Sequence, residues 1–316
     1  MSARIDLNYV SNGLCIKKCN KDQRKKITEN DLCSQVLSKV DNLGVRCVGE
    51  WGMEKIYYLT QYFGLFAKAM RKKWNGKLNY IEICSGPGRC ISRDKGTEFD
   101  GTALSIIKNS NFQYIEKAVF IDYDNKVVEI LNRRINALNI SNAIAIEGNY
   151  YDPNDIRAKV LNTVDPRSLN LVFIDPTDCS VPFSLVRHVA QSLFRADLII
   201  NIPIGTDLNR NLTNIFQNQE KYRKSISKYS RFLGSTQFFK DEKNIELYKN
   251  GNLEVLRNNF RETYKQSLKE LNYVHFAFHR IRHFYDLIFA SKHKLGLELW
   301  EKAKKIEFDG QRSLNF

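Results

Sequence analysis

From Asn79 to Cys90 the chain reads N-Y-I-E-I-C-S-G-P-G-R-C. A short apolar strand carrying one acid, Glu82, runs straight into a turn of small residues, Ser85-Gly86-Pro87-Gly88. Glycine lets the backbone reach positive φ and lets a ligand approach where a Cβ would block it. The glycines are spaced G-P-G rather than G-x-G-x-x-G, and no lysine follows to grip phosphates as in a P-loop. A plain strand-turn-helix would read the same way. As the opening of a Rossmann-like site, though, the turn suits a sugar or amino-acid moiety better than a pyrophosphate. S-adenosyl-L-methionine fits that description best.

Outward from this stretch the apolar runs recur at α/β spacing. Strands are expected at Leu78–Cys84, Lys117–Asp122, Ala143–Glu147, Leu169–Asp175 and Ala196–Ile202, with helices between them at 125–138 and 181–194. Alternation of strand and helix predicts a mostly parallel sheet covered by helices. Two further strands, Tyr273–Arg280 and Phe284–Ser291, lie only a few residues apart and read as an antiparallel pair at the sheet edge. The expected fold is α/β and Rossmann-like, with a seven-stranded sheet as in class I methyltransferases.

Before the core, apolar residues from Ile56 to Met70 recur at three- and four-residue steps, predicting a helix over 54–74 that ends in Lys68, Arg71, Lys72 and Lys73. Residues 1–48 read as a basic N-terminal arm with one short helix around 31–40, and 49–316 as the methyltransferase-like domain. The charged stretch 207–271 is too long for a plain loop and reads as a helical insertion.

The 316 residues carry a net charge of +14, unevenly distributed. Residues 1–76 hold 14 Lys/Arg against 7 Asp/Glu, residues 77–205 hold 14 against 15, and residues 206–316 hold 21 against 13. Basic flanks around a neutral core point to a polyanionic partner, nucleic acid above all, with solubility as the plainer reading. There is no long apolar run to span a membrane and no apolar leader at the N-terminus, so the expected setting is cytoplasmic. Cys15, Cys19, Cys33 and Cys47 lack the paired close knuckles of a zinc ribbon, and reduced thiols are expected in place of a metal site.

Ligands of doubly wound sheets lie beyond the carboxyl ends of the strands. The second strand ends F-I-D-Y-D: Asp122 is placed to accept hydrogen bonds from ribose hydroxyls, with Tyr123 beside it, or else to cap the next helix. The third ends E-G-N-Y-Y-D, where Asn149 suits an adenine amino group and Tyr150 the face of its ring. The fourth ends F-I-D-P-T-D-C. Asp175-Pro176 resembles the start of the D-P-P-Y signature of amino-methyltransferases acting on nucleic-acid bases, although Thr177 and Asp178 replace the second proline and the aromatic. Cys179 raises a nucleophilic alternative, with a free loop thiol as the simpler reading. The fifth strand ends N-I-P-I-G, placing Asn201 near Asp175, followed by Asn209, Arg210 and Asn211.

Taken with the glycine stretch, V-G-E-W-x-x-E-K-x-Y-Y-L (Val48 to Leu59), F-D-G-T-A-L (Phe99 to Leu104), F-I-D-P-T, N-I-P, F-A-S-K-H (Phe289 to His293) and G-Q-R-S-L (Gly310 to Leu314) resemble the three-Cys-motif partner protein family, TcmP, over roughly residues 45 to 315. One departure is Glu82-Ile83-Cys84-Ser85 where that family has D-L-F-A. The resemblance implies a class I methyltransferase-like fold and a partner, a radical-SAM-like three-Cys-motif protein. It makes Glu82, Gly86, Gly88 and Asp122 cofactor candidates and Asp175 the leading residue on the substrate side.

Three functions are then open. The first is a methyltransferase acting on nucleic acid, with Asp175, Pro176 and Asn201 at the acceptor and Glu82, Ser85–Gly88, Asp122, Tyr123, Asn149 and Tyr150 at the cofactor. The second is a binding partner of a radical-SAM-like enzyme. The third is a nuclease holding magnesium on Asp122, Asp124 and Asp175.

Overall fold

The computed structural model describes residues 10–11, 32–33, 36–305 and 308. The basic cluster Lys17–Lys26, Cys15, Cys19 and the block Gly310–Leu314 lie outside these residues. The chain divides into two compact units, residues 1–148 with 299–316 and residues 149–298.

In chain order the first unit contains β1 (Val10–Ser11), β2 (Arg46–Val48), α1 (Trp51–Met70), β3 (Leu78–Ile83), β4 (Arg89–Ser92), β5 (Thr97–Asp100), α2 (Thr102–Ile107), β6 (Lys117–Asp122), α3 (Asn125–Ala137) and β7 (Ala143–Glu147). β3, β6 and β7 pair in parallel, in the registers Asn79↔Lys117 and Ala118↔Ala143. Every residue of β3 is buried, as expected of a strand with both faces covered. Helix α1 turns Ile56, Leu59, Phe63, Phe66 and Met70 inward at the expected helical spacing, and Phe63 meets Tyr80 of β3 edge to face at 5.6 Å. It starts three residues earlier than expected and stops at Met70. A turn follows in which Gly76 takes φ +77°, so the basic residues past Met70 leave the helix.

A second, four-stranded sheet in the order β1-β5-β4-β2 was not expected from the sequence. Its strands are two to four residues long, too short for a period-two pattern to register. It places a β-hairpin between the glycine turn and helix α2. Among the described residues of 31–40 there is no helix where one was expected: Leu37 and Gly44 form an antiparallel bridge around a turn at 39–41. The segment is held by Glu98 of β5, fully buried, which accepts hydrogen bonds from Ser38 Oγ (2.7 Å) and the Lys39 N–H (2.8 Å). Residues 36–48 are thus part of the first unit's packing, with Val36, Val45, Cys33 and Ile91 forming a small core, and do not form a free arm.

The second unit contains α4 (Pro153–Thr163), β8 (Leu169–Ile174), α5 (Phe183–Ser192), β9 (Arg195–Ile202), α6 (Asn209–Gln217), α7 (Arg223–Leu233), α8 (Glu242–Lys249), α9 (Leu253–Lys269), β10 (His275–Ile281) and β11 (Tyr285–Ser291). β8 and β9 are parallel, while β11 runs antiparallel to both β9 and β10. The reversed strand is therefore one position in from the edge, and β10 is the edge. Between Ile202 and His275 the chain forms a π-helical turn at Ile204–Leu208 and four helices, joined by aromatic packing such as Phe232 stacked on Phe260 (6.2 Å) and Phe216 on Tyr248 (5.2 Å). A last helix, α10 (Lys294–Ala303), follows β11.

The fold is α/β: seven strands in the order β10-β11-β9-β8-β3-β6-β7 form one mostly parallel sheet. Among the described residues no helix is long and apolar enough to cross a membrane.

Candidate functional site

The glycine turn of the first unit is built by alternating backbone handedness. Cys84, Gly86 and Gly88 take φ of +66°, +66° and +85°. A cysteine in that region is uncommon, and Cys84 is a partly buried, strained turn residue just past the strand, which ends at Ile83 and not at Cys84 as expected. The compensation is on β6. The carbonyl oxygen of Ile121 accepts the N–H groups of Cys84 (2.8 Å) and Ser85 (3.1 Å). The next residue, Asp122, accepts the Gly86 N–H on Oδ2 at 2.8 Å and the Asp124 N–H on Oδ1 at 3.2 Å. The carboxyl end of one strand thus fixes the loop that follows its neighbour.

Helix α3 supplies a second fixing point. Arg134, buried to 4% exposure, forks onto Asp41 through Nε (2.7 Å) and Nη2 (2.9 Å). Its Nη1 donates to the carbonyl oxygens of Gly44 (2.9 Å) and Pro87 (2.6 Å). One side chain therefore ties residues 41–44 to the middle of the glycine turn. Burial tends to raise the Asp41 carboxyl, but the hydrogen bond and charge of Arg134 outweigh it and hold the group below its ordinary value.

The cofactor candidates divide by what they already touch. Glu82 is fully buried and accepts hydrogen bonds from Tyr80 OH (2.8 Å) and Thr102 Oγ1. It braces the start of α2, where a ligand contact had been expected. At Gly88 a Cβ would lie 2.8 Å from Leu131 and 3.1 Å from Leu104, so the absent side chain serves packing against α2 and α3. At Gly86 the nearest atom to a Cβ is the Arg46 guanidinium at 3.4 Å, the end of a flexible side chain. The hydroxyl of Ser85 is buried without a hydrogen-bond partner. Asp122 is half-buried, and Tyr123 beside it is 51% exposed. Asp124 caps α3, accepting from Lys126 N–H at 2.9 Å. Ser85, Gly86, Asp122 and Tyr123 thus suit a ligand carrying a polyol and an aromatic ring.

In the second unit, Asn149 shapes a turn. Its Oδ1 accepts the Tyr151 N–H (3.0 Å) and its own N–H donates to Asp155 (2.8 Å), while Tyr150 packs on Tyr151 at 4.5 Å. Asp175, Pro176 and Asn201 come together at the carboxyl ends of β8 and β9. Asn201 Nδ2 donates to Asp175 Oδ1 (2.9 Å) and to the Pro176 carbonyl (3.2 Å). All three are buried, and Asn201 Oδ1 is a buried acceptor without a partner. A buried carboxylate held by an amide, with an unused acceptor beside it, is suited to orient an N–H donor.

Asn209 and Asn211 do not join this group. Asn211 bonds Asp207 and Tyr229 OH (2.9 Å), and Asn209 accepts from Arg257 (2.6 Å). Asp207, in the π-helical turn, was missed in the sequence. It accepts the Cys179 N–H (2.9 Å), Tyr229 OH (3.0 Å) and Lys228 Nζ (2.7 Å) and so locks the far end of the Asp175 loop. Cys179 is fully buried, and burial together with the Asp207 charge pushes its thiol well above the ordinary value. It is neither an activated nucleophile nor an accessible loop thiol. Among the described residues no cluster of His, Cys, Asp and Glu is arranged to hold a metal ion.

No family model matches the chain and no curated protein does, so the likeness to the three-Cys-motif partner family stands on the quoted motifs alone. Among solved structures, the chain is similar to the CurJ carbon methyltransferase at 12% identity and a TM-score of 0.40, covering 68% of this chain and 48% of that one. It is similar to the O-methyltransferase TomG from Streptomyces achromogenes, in complex with SAM, at 8% identity and a TM-score of 0.39, covering 72% and 78%. It is also similar to TrmK from M. capricolum, in complex with S-adenosyl-homocysteine, at 11% identity and a TM-score of 0.32, covering 72% and 68%. The chain spans about half the length of the CurJ structure it matches.

Proposed function

We propose that this chain is an S-adenosyl-L-methionine-dependent methyltransferase whose substrate is a nucleic acid. The observation that carries the reading is the joint between the glycine turn and β6, in which Asp122 accepts the Gly86 N–H at 2.8 Å beside the unpartnered hydroxyl of Ser85. That joint sets a half-buried carboxylate next to a loop with little side-chain bulk, as a ribose and an amino-acid tail require. Bound there, the cofactor supplies an activated methyl group.

The chain's own residues do the rest by binding and orientation. Asp122 accepts from the ribose hydroxyls, Gly86 and Ser85 lie along the amino-acid tail, and Tyr123 covers the adenine, with Asn149 and Tyr150 as further candidates for the base. Arg134 and Ile121 hold the loop in place. Asp175 and Asn201 orient the acceptor, with the Pro176 carbonyl fixed on the same amide. The basic flanks, +7 over residues 1–76 and +8 over residues 206–316, support a phosphate-bearing substrate. The cytoplasm is the setting that goes with this substrate.

A second reading, a binding partner of a radical-SAM-like three-Cys-motif protein, rests on the ordered sequence motifs. Calorimetric titration with S-adenosylmethionine and S-adenosylhomocysteine tests the first: saturable one-to-one binding is expected. Folded protein that takes up neither ligand at millimolar concentration would sink the methyltransferase reading and leave the partner reading.

A further inference from the structure

Beyond the carboxyl end of β9 lies a cavity of about 60 Å³ in the second unit, lined by Arg257, Arg261, Arg280, His283, Glu254 and Asp286. At about one probe sphere (10–15 Å³) per water, it holds a few waters or one tetrahedral oxyanion. Ile204, Asn209 and Tyr285 complete its lining.

The three arginines are positioned by the protein without being used up by it. Arg261, 8% exposed, donates Nε to Asp286 at 2.6 Å and Nη1 to Asn258. Arg257 donates Nε to Asn209 at 2.6 Å and Nη1 to Glu254 at 3.1 Å. Arg280 donates Nη2 to Glu254 at 2.8 Å, with Nε 3.6 Å from Asp286. Among the described residues, Nη2 of Arg257, Nη2 of Arg261 and Nη1 of Arg280 have no protein partner. Two carboxylates answer three guanidinium charges, leaving one positive charge uncompensated even with His283 neutral. Glu254 stays ionised, because hydrogen bonds from Arg280 and Arg257 hold it below its ordinary range. Each carboxylate thus orients two arginines around a common space.

Each unpartnered Nη carries two N–H donors on a permanently charged guanidinium, and three such groups suit the several oxygens of a phosphate better than a single amide. A purely structural ion-pair network would close on itself; here three guanidinium nitrogens without a hydrogen-bond partner belong to residues that line one cavity of oxyanion size.

We propose that this cavity is a phosphate-binding site, gripping one phosphate group of a nucleotide unit. It gives the nucleic-acid half of the proposed function a location, and it rests on that half only for the source of the phosphate. The site needs no cofactor. Two residues of its lining, Ile204 and Asn209, follow Asn201 by three and eight residues in the same unit.

The test uses the full chain and two substitutions on the accessible side, Arg257→Gln and Arg280→Gln, with melting temperature as the check on folding. The probes are adenosine monophosphate, whose phosphate is free, and a short single-stranded oligonucleotide without terminal phosphates, whose phosphates are all diesters. Binding of either probe that weakens roughly tenfold in each variant, with a shallower salt dependence, supports the site. Preference for the oligonucleotide identifies a backbone phosphate, and preference for the monophosphate a small phosphorylated ligand. Absence of binding by both probes, or equal binding by well-folded variants, would overturn the proposal whatever the S-adenosylhomocysteine titration gives.

Discussion

Arg134 reaches from α3 to the carbonyl oxygen of Pro87 at 2.6 Å while forking onto Asp41, so two segments 46 residues apart in sequence share one buried guanidinium. Removing it would leave the Gly44 and Pro87 carbonyl oxygens without this donor and the partly buried Asp41 carboxylate with only the Leu43 N–H and the more distant Arg89. Arg134→Ala should cost about 3 kcal/mol of unfolding free energy, the scale for breaking a buried pair. Arg134→Lys should recover little of it, since an ammonium cannot reproduce the fork. Urea denaturation of both variants measures this. A loss within ~0.5 kcal/mol for Arg134→Ala would mean that the clamp is ornamental.

The same pair makes a prediction about pH. The folded-state value of Asp41 is depressed below its ordinary 3.8, so the pair's contribution is complete above that value and is lost as pH falls through the folded value. The stability difference between the native chain and Asp41→Asn should therefore be constant near neutrality and shrink below pH 3.8. A difference that persisted undiminished into strong acid would contradict the pairing.

The two glycines of the turn should respond differently to alanine. Gly88→Ala places a methyl group 2.8 Å from Leu131 at φ +85°, and about 2 kcal/mol or more of destabilisation is expected. Gly86→Ala, at φ +66° with only the Arg46 side chain at 3.4 Å, should cost about 1 kcal/mol, mainly from the backbone. Its larger effect should fall on cofactor affinity. Chemical denaturation read beside calorimetry separates the two, and a Gly88→Ala variant as stable as Gly86→Ala would refute the packing role.

Cys179 should be inert. In the native protein its thiol should react with maleimide only through unfolding, and Cys179→Ala should retain methyl transfer. Rapid labelling of this residue, located by peptide mass, would contradict the buried environment that Asp207 and the surrounding core give it.

The large sheet was legible because its strands are near-continuous apolar runs. All six residues of β3 and of β8 are buried, and the β8 run breaks at Asp175 directly after the strand ends. The chemistry at those ends was only partly legible. Asp122, Asp175 and Asn201 declared themselves by following such runs. Glu82 resembles a ligand contact by position, yet Tyr80 and Thr102 enclose it, and spacing along one strand carries no information about a neighbour twenty residues away. The pairing of Arg134 with Asp41, across 93 residues, and the grouping of Arg257, Arg261 and Arg280 depend on tertiary placement. The short strands β4 and β5 hide for a local reason: Arg89, Glu98 and Asp100 are buried charges in segments too brief to show alternation.

The most direct measurement is the calorimetric affinity for S-adenosylhomocysteine of the native chain and of Asp122→Asn, a near-isosteric change that removes the charge meeting Gly86. The native chain is expected to bind one equivalent, and Asp122→Asn to bind at least roughly tenfold more weakly while melting as a folded protein, as befits loss of a charged hydrogen-bond acceptor. Equal affinities in the two proteins, or no binding by the native chain, would contradict a cofactor site at the glycine turn.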